Sequence, residues 1–242
     1  MICFKFWNWW KPILKDSNPS QGYGAAVAME DNPNFIRFAD IKCVVFDFGF
    51  TLSSDLYFKV APPEYPHWRD VIQEYIFNES HIVEQWMEGN LTIVNIAEII
   101  SRYIHMDIDS IVRTLEKGCE RLNFNKAVWD FALAQRNRGK KTALVTANMD
   151  VFTKIVVPFH RLDKVFDVIL NTFDYQELRK ERLWPVAFRY LGNDICYENS
   201  LLIEDGTNEP VKFRNLGGYA YQYSTDELFM EWLRFIQWDG YT

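Results

Sequence analysis

The stretch Ile41-Lys-Cys-Val-Val-Phe-Asp47-Phe-Gly49-Phe-Thr51-Leu52 decides the predicted fold. It contains a short apolar run, Cys43 to Phe46, that ends at a carboxylate and is followed by a turn with glycine and threonine. Such a run between polar residues indicates a strand that is buried on both faces, as in a parallel sheet. Ligands of open α/β sheets bind beyond the carboxyl ends of the strands, where Asp47 is predicted to lie. The alternative is that Asp47 only begins a turn, where aspartate is common.

Further along the chain, short apolar runs alternate with helical segments. Strands are predicted for Thr142 to Val145, Val168 to Leu170, Leu201 to Ile203 and Tyr219 to Tyr223, and helices for Val151 to Phe159, Trp184 to Leu191 and Val211 to Leu216. This alternation implies a parallel sheet with helices on both faces. The predicted fold class is therefore α/β, with a Rossmann-like three-layer core.

A block of helical periodicity separates the first predicted strand from the second. Apolar residues recur at helical spacing from Trp68 to Ile76, from Ile96 to Ile104 and from Ile111 to Cys119, and a fourth segment runs from Lys126 to Arg138. The block predicts a bundle of about four helices inserted after the Asp47 turn. The predicted division is an aromatic N-terminal segment and linker at 1–40, a core at 41–58 and 140–242, and a helical domain at 59–139.

Composition limits the classes of partner and compartment. The chain has 242 residues, 48% hydrophobic and 24% charged, as is typical of a soluble globular protein. Its formal net charge of -7, with no basic cluster, disfavours a nucleic-acid partner. The 4 cysteines are far apart and form no CxxC pair, so a reducing compartment, the cytoplasm, is predicted. No apolar run has the length of a membrane span, and the aromatic segment is expected to pack onto the body of the protein.

Polar residues at the ends of the predicted strands are expected to meet at one site. The first strand ends at Asp47, the second at Thr146 and the fourth at Asp205, while Lys180 precedes the helix that begins at Trp184. These groups suit magnesium-dependent phosphoryl transfer. One carboxylate can be the nucleophile and the second can hold a hard cation. The lysine and the hydroxyl can then bind the phosphoryl oxygens.

Four motifs in this order resemble those of the haloacid dehalogenase (HAD) superfamily, and more narrowly its branch with a helical C1 cap inserted after the first motif. The family's pattern is Asp-x-Asp-x-Thr/Val after a strand, then a strand ending in Ser or Thr, then Lys or Arg ahead of a helix, then a strand ending in acidic residues. The matching stretches are Asp47-Phe-Gly49-Phe-Thr51, Ala-Leu-Val-Thr146-Ala-Asn148, Lys180 with Arg179 and Arg182 as alternatives, and Ile203-Glu204-Asp205-Gly-Thr-Asn208-Glu209. The resemblance covers Ile41 to Tyr223.

The resemblance implies a nucleophile and a metal site. Asp47 would attack phosphorus and form an aspartyl-phosphate. Magnesium would be held by the Asp47 carboxylate, the backbone carbonyl of Gly49 and Asp205, with Glu209 supporting it from outside. The implied protein is a magnesium-dependent hydrolase, a phosphatase.

The resemblance also implies how a substrate is bound. Thr146 and Lys180 would bind the phosphoryl oxygens, and Thr51 and Asn148 would contribute to substrate binding. The implied partner is a small phosphorylated metabolite, a phosphate monoester, selected by the inserted helices and the segment after the first strand. Neither the identity of the substrate nor the oligomeric state follows from the sequence.

Gly49 departs from the pattern of the family's phosphatases, which usually carry a second Asp here as general acid and then base. General acid–base help typically contributes about 10²–10⁴-fold to the rate. Asp55 and His67 are possible substitutes, although a solvated polar residue is the simpler interpretation of each. The alternative function is a catalytically impaired relative that binds a phosphorylated ligand without turnover.

Two other reactions of the superfamily rank lower. Carbon–halogen hydrolysis uses the same nucleophile without a metal, and the acidic pair Glu204-Asp205 would build negative potential beside the departing halide. Phosphonate cleavage needs a Schiff-base lysine from the inserted helices, for which Lys117 and Lys126 are only nominal candidates.

Overall fold

The computed structural model describes residues 40–55 and 57–238, so the predicted packing of the aromatic N-terminal segment lies outside the described residues. Its centre is a parallel sheet of strands β1 (Cys43–Phe46), β2 (Lys141–Thr146), β3 (Val168–Asn171), β4 (Ser200–Glu204) and β5 (Tyr219–Gln222). The strand order is β3-β2-β1-β4-β5. The predicted strands agree with these bounds to within one residue at each end. The predicted α/β fold with a parallel sheet is confirmed.

The α-helices have the following bounds. They are α1 (Trp68–Ile72), α2 (Ser80–Met87), α3 (Ile93–Ser101), α4 (Ile108–Glu120), α5 (Lys126–Asn137), α6 (Val157–Phe159), α7 (Thr172–Tyr175), α8 (Trp184–Leu191), α9 (Asn208–Asn215) and α10 (Asp226–Phe235). A π-helical turn extends α1 over Gln73–Phe77 and another precedes α6 over Phe152–Val156. Lys180–Arg182 is a single 3-10 turn ahead of α8.

Strand β1 is apolar throughout because both of its faces are covered. Its Val44 and Phe46 side chains belong to one hydrophobic cluster, and Cys43 and Val45 belong to a second one on the other face of the sheet. All four residues are fully buried. Asp47 directly follows this central strand and therefore lies at the carboxyl edge of the sheet.

Helices cover the sheet on both sides and complete three layers. On one face, Phe131 of α5 packs edge-on against Phe46 at 6.1 Å and against Phe229 of α10 at 5.3 Å between ring centroids. On the other face, Trp184 of α8 packs edge-on against Phe213 of α9 at 5.0 Å. Such edge-to-face ring pairs add about 0.5–1.5 kcal/mol beyond the burial of their area.

The inserted helices, α1 to α4, lie between β1 and α5 in the chain, and their cores form one hydrophobic cluster with a face of the sheet. Helix α5 contacts β2 and α10, so it lies in a helical layer of the sheet. Helices α2 and α10 were not predicted from the sequence. The signal for α10 is Thr225, whose hydroxyl accepts the Leu228 N–H at 3.3 Å. The division of the chain into domains stays a prediction.

Two features of the described residues bear on the environment of the protein. None of the helices in the described ranges is long and apolar enough to cross a lipid bilayer. Cys43, Cys119 and Cys196 are unpaired thiols, the first two of them buried.

Candidate active site

The carboxyl edge of the sheet opens into a cavity of about 300 Å³. Asp47 enters it from the end of β1, Thr146 from the end of β2, and Glu204 and Asp205 from the end of β4. Lys180 reaches the same cavity from the turn before α8. The structure therefore brings together groups that lie as far as 158 residues apart in the chain, because parallel strands end at a common edge.

The turn after β1 is held by hydrogen bonds from two directions. The backbone N–H groups of Leu52 and Ser53 both donate to the Phe48 carbonyl at 2.9 Å. Asn125, ahead of α5, donates its side-chain amide to the carbonyl oxygens of Phe50 at 3.1 Å and Thr51 at 2.8 Å. Phe50 has a φ of 55°, a left-handed conformation that side chains rarely adopt, and these bonds stabilise it.

Lys180 forms a buried ion-pair network with two carboxylates. Its Nζ lies 3.0 Å from Asp47 Oδ1 and 2.5 Å from Glu204 Oε2, and the three side chains are only 11%, 9% and 2% exposed. Arg179 and Arg182 instead pair with Glu177, at 2.9 Å and 3.3 Å. Of the three basic candidates, Lys180 is thus the residue that the structure places against Asp47.

Burial and charge shift the protonation equilibria of this network. Burial raises the pKa of Asp47 to about 6, the charge of Glu204 adds to the rise, and Lys180 opposes it. For Lys180, burial alone would lower the pKa, but the charges of Asp47, Glu204 and Glu209 outweigh it and hold the pKa above its ordinary value. The lysine therefore stays charged at neutral pH, while Asp47 is a carboxylate with an unusually high proton affinity.

Three carboxylates form a potential cation site beside the lysine. Oxygen atoms of Asp47, Glu204 and Asp205 lie within 4.8 Å of one another. Asp205 is held in place by Thr51, whose Oγ1 accepts the Asp205 N–H at 2.8 Å and lies 3.4 Å from Asp205 Oδ1. A set of carboxylate oxygens is what Mg²⁺ and Ca²⁺ prefer, so these residues fit a hard divalent cation.

Comparison with known proteins finds similarity in the fold of this chain but not in its sequence. No protein-family model matches the sequence, and no curated protein is significantly similar to it. Several solved structures, by contrast, have a similar fold over most of the chain. A HAD-family enzyme from Bacteroides thetaiotaomicron, solved in complex with magnesium, gives a TM-score of 0.59 at 15% identity, over 78% of this chain and 98% of that one. A protein from Porphyromonas gingivalis, described as a predicted HAD-like family hydrolase, gives 0.59 at 14% identity, over 82% and 98%.

A third structure carries a different chemistry on the same fold. The L-2-haloacid dehalogenase from Xanthobacter autotrophicus gives a TM-score of 0.53 at 15% identity, over 80% of this chain and 82% of that one. The chain has the fold of the HAD superfamily. At this level of identity the HAD fold alone is shown, so chemistry must be argued from the side chains of this chain.

In this HAD fold the residues predicted to bind substrate take different positions. Thr146 and Asn148 are buried and line the cavity, and the Asn148 side-chain oxygen accepts the Met149 N–H at 3.0 Å. Thr51 is fully buried, does not line the cavity, and uses its hydroxyl on Asp205. The structure therefore places Thr51 behind Asp205.

The two proposed substitutes for the absent acid are also placed differently. Asp55 lines the cavity, but its carboxylate accepts from Lys59 Nζ and from the Asn123 backbone N–H, both at 2.5 Å. His67 does not line the cavity, and its side chain, 85% exposed, lies 3.5 Å from Asp70. Neither residue presents an uncommitted acid to the cavity.

Sequence analysis missed three features of the site. Glu204 bridges Lys180 and the Gly206 N–H, to which it lies at 3.0 Å, and its place in an acidic pair was the available signal. Tyr57 and Met87 line the cavity and are buried, and no local pattern distinguishes them. The Tyr57 hydroxyl is buried without completing a hydrogen bond, although the Asn148 side chain lies near enough to influence it.

Proposed function

We propose that this HAD-like protein is a magnesium-dependent phosphatase that hydrolyses a small phosphate monoester through an aspartyl-phosphate on Asp47. One observation carries the proposal: a buried lysine 3.0 Å from Asp47 lies beside a carboxylate cluster whose oxygens are within 4.8 Å of one another. In support, the Bacteroides thetaiotaomicron enzyme with this fold was also solved with magnesium and inorganic phosphate. The proposed partner is accordingly a small phosphorylated metabolite.

Charge balance explains why a cation is needed. The cavity contains Asp47, Glu204 and Asp205 close together, and Lys180 is the ammonium group that pairs with two of them. Three carboxylates and one ammonium group leave negative charge that would repel a phosphate dianion. Magnesium, held by Asp47, the Gly49 carbonyl and Asp205, would neutralise the phosphoryl oxygens.

The residues of the chain supply the remaining chemistry. A carboxylate oxygen of Asp47 attacks phosphorus, the bond from phosphorus to the leaving oxygen breaks, and that oxygen leaves with the electron pair and takes a proton from solvent. Lys180 and Thr146 bind the phosphoryl oxygens and orient the group for attack. Water then attacks phosphorus, the bond to Asp47 breaks, and orthophosphate leaves with the carboxylate restored.

Phosphate release from a panel of phosphate monoesters, with and without magnesium, tests the proposal. Asp47→Asn preserves the shape of the side chain but removes the nucleophile, so we expect turnover to fall to background. Asp163→Asn, at an exposed aspartate remote from the cavity, is the matched control and should behave as wild type. Turnover that survives in Asp47→Asn, or that is unaffected by magnesium removal, would contradict the proposal.

Gly49 supports the second candidate, a binding protein without turnover. Magnesium and inorganic phosphate binding, measured by calorimetry, together with no turnover across the panel, would favour this candidate. The dehalogenase with the same fold makes chloride release from 2-haloacids a third assay. We expect none, because the carboxylate cluster disfavours a departing anion. A cytoplasmic location remains part of the proposal, consistent with the unpaired thiols.

A further inference from the structure

We infer that the substrates of this site are aryl phosphates, esters whose leaving group departs as a stable anion and needs no proton from the protein. The inference rests on the proposed phosphatase function and adds the substrate class. It follows from two features of the described cavity: its acidic groups outside the carboxylate cluster already have partners, and part of its wall is apolar.

Three acidic residues line the cavity outside the carboxylate cluster: Asp55, Glu181 and Glu209. The charge of Glu209 acts on Lys180, and the other two are held by ion pairs or hydrogen bonds. Asp55 accepts two short hydrogen bonds, from Lys59 and from the Asn123 backbone, and Glu181 pairs with Lys212 at 3.0 Å. Position 49, two residues after the nucleophile, has no side chain. Protonating an alkoxide as it leaves requires a positioned acid within hydrogen-bond reach, and in the described cavity these groups do not supply one.

The Tyr57 hydroxyl has a hydrogen to offer to a ligand but is a poor proton donor. Burial, with the charges of Cys119 and Asp47, raises the pKa of its hydroxyl well above the ordinary value of 10.0, despite an opposing contribution from Asn148. Transfer of its proton to a phenolate, whose conjugate acid has a pKa of about 10 or less, would be uphill. The hydroxyl, buried without a completed hydrogen bond, can instead hydrogen-bond the leaving oxygen.

Apolar side chains form one part of the cavity wall. Phe50, Tyr57, Met87, Met149 and Leu178 line it together with the charged groups. A volume of about 300 Å³ is at the lower end of the range for ligand pockets, ~300–1,000 Å³, and suits one ring with a phosphoryl group. Aromatic and thioether groups pack favourably against a ring, whereas sugar hydroxyls placed against these five side chains would be left without partners.

The reaction balances without a protein acid. Asp47 attacks phosphorus, the bond to the phenolic oxygen breaks, and its electron pair leaves on a phenolate that takes a proton from bulk water. Water then attacks the aspartyl-phosphate, the bond to Asp47 breaks, and the proton of the water passes to orthophosphate and solvent. Only the first step depends on the leaving group, so the dependence is expected in kcat/KM.

The test measures kcat/KM for a series of substituted phenyl phosphates, whose leaving groups have pKa values from about 7 to about 10, and for one alkyl phosphate. In wild type we expect kcat/KM to fall by ~10²-fold or more across the series, with the alkyl ester lowest, because no acid compensates for poor leaving groups. Gly49→Asp should raise kcat/KM for the alkyl phosphate by ~10²-fold and flatten the series.

Position 49 tolerates both variants needed for this comparison. A Cβ on Gly49 would meet no atom within 4 Å, and its φ lies outside the left-handed region. Gly49→Asn, which has the shape of aspartate without an acidic proton, is the matched control and should leave the series as steep as in wild type. If Gly49→Asp fails to fold, the wild-type series decides the test alone.

The outcomes distinguish this inference from the proposed function. A flat wild-type series, with turnover that Asp47→Asn abolishes, would overturn the aryl phosphate inference and leave the phosphatase standing. Equal gains in Gly49→Asp and Gly49→Asn would also overturn it, because the gain would not come from a proton. Absence of turnover with every ester would overturn the proposed function and this inference together.

Discussion

Asp47 is buried beside a second carboxylate, and its negative charge therefore destabilises the folded chain. Its side chain is 9% exposed, and Lys180 only partly offsets the effect of burial and of Glu204. A protein can retain such a group when the same high-energy carboxylate is needed for chemistry. The loss of folding stability that the Asp47 charge causes can be measured by removing the charge.

Asp47→Asn should stabilise the metal-free protein at neutral pH. The pKa of Asp47 is about 6 when folded against an ordinary value of 3.8, so the folded state binds this proton more tightly. Stability from this group is therefore present at low pH and lost as the pH rises from about 4 to about 6. The variant has no such loss. Its free energy of unfolding should exceed that of wild type by ~2–3 kcal/mol at pH 7 but differ little at pH 4.

Urea unfolding in EDTA, at several pH values between 4 and 7, measures this difference. Asp163→Asn, at an exposed position, provides the control and should show no comparable trend. A difference between Asp47→Asn and wild type that is constant with pH, or that favours wild type at pH 7, would contradict the assigned origin of the shift.

Among the elements, the inserted helices are tied to the sheet by one buried carboxylate. Asp150, four residues beyond the end of β2, is fully buried. Its oxygens accept the Trp86 indole N–H of α2 at 2.7 Å and the backbone N–H of Ile93, the first residue of α3, at 3.2 Å. Lys154 pairs with the same carboxylate at 3.0 Å. One carboxylate in the segment after β2 thereby holds α2 and the first residue of α3.

Asp150→Ala should lower the free energy of unfolding by about 1–3 kcal/mol for each buried donor that it leaves without an acceptor. Trp86→Phe removes one of the two N–H donors together with the five-membered ring of the indole, and it should cost less than Asp150→Ala if the carboxylate is the anchor. Both are measured by urea unfolding, with Asp174→Ala, an exposed aspartate that accepts from Thr153, as the control. A change in Asp150→Ala no larger than in the control would contradict the anchoring role.

For the whole molecule, the parallel sheet determines where charge accumulates. Strands β1 and β4 are neighbours, so Asp47 and Asp205 lie at one edge although about 160 residues separate them. Two residues between β1 and β2, Tyr57 and Met87, contribute to the cavity wall at that edge. The accumulation of negative charge at this edge therefore follows from the order of the strands.

Magnesium should therefore stabilise the folded protein. A ligand that binds only the folded state adds RT ln(1 + [L]/Kd), about 2.7 kcal/mol at a concentration of 100 Kd. Asp205→Asn, with one carboxylate fewer, should lose most of the rise in Tm that magnesium produces. Glu181→Gln, which changes a carboxylate paired with Lys212 on the cavity wall, should keep it. Sodium chloride at matched ionic strength controls for screening, and an equal rise with sodium would contradict a specific site.

The local sequence determined the strands, most of the helices and the residues placed at the strand ends. Apolar runs and helical periodicity depend on residues that are close in the sequence, so strands and helices can be predicted from them before the fold is known. The order of the four motifs also indicated the HAD fold, which the solved structures support. Gly49 could be recognised from the sequence as a departure from the family pattern, because it lies at a defined position of the first motif.

Only the tertiary structure decided which partners the site residues take. Lys180 rather than Arg179 faces Asp47, Thr51 holds Asp205, and Glu204 bridges the lysine and a backbone N–H. Adjacent residues such as Arg179 and Lys180 have nearly the same local signal, and their pairing depends on charges brought in from distant strands. Ion pairs and cavity walls are non-local, and the parallel topology is what brings their members together.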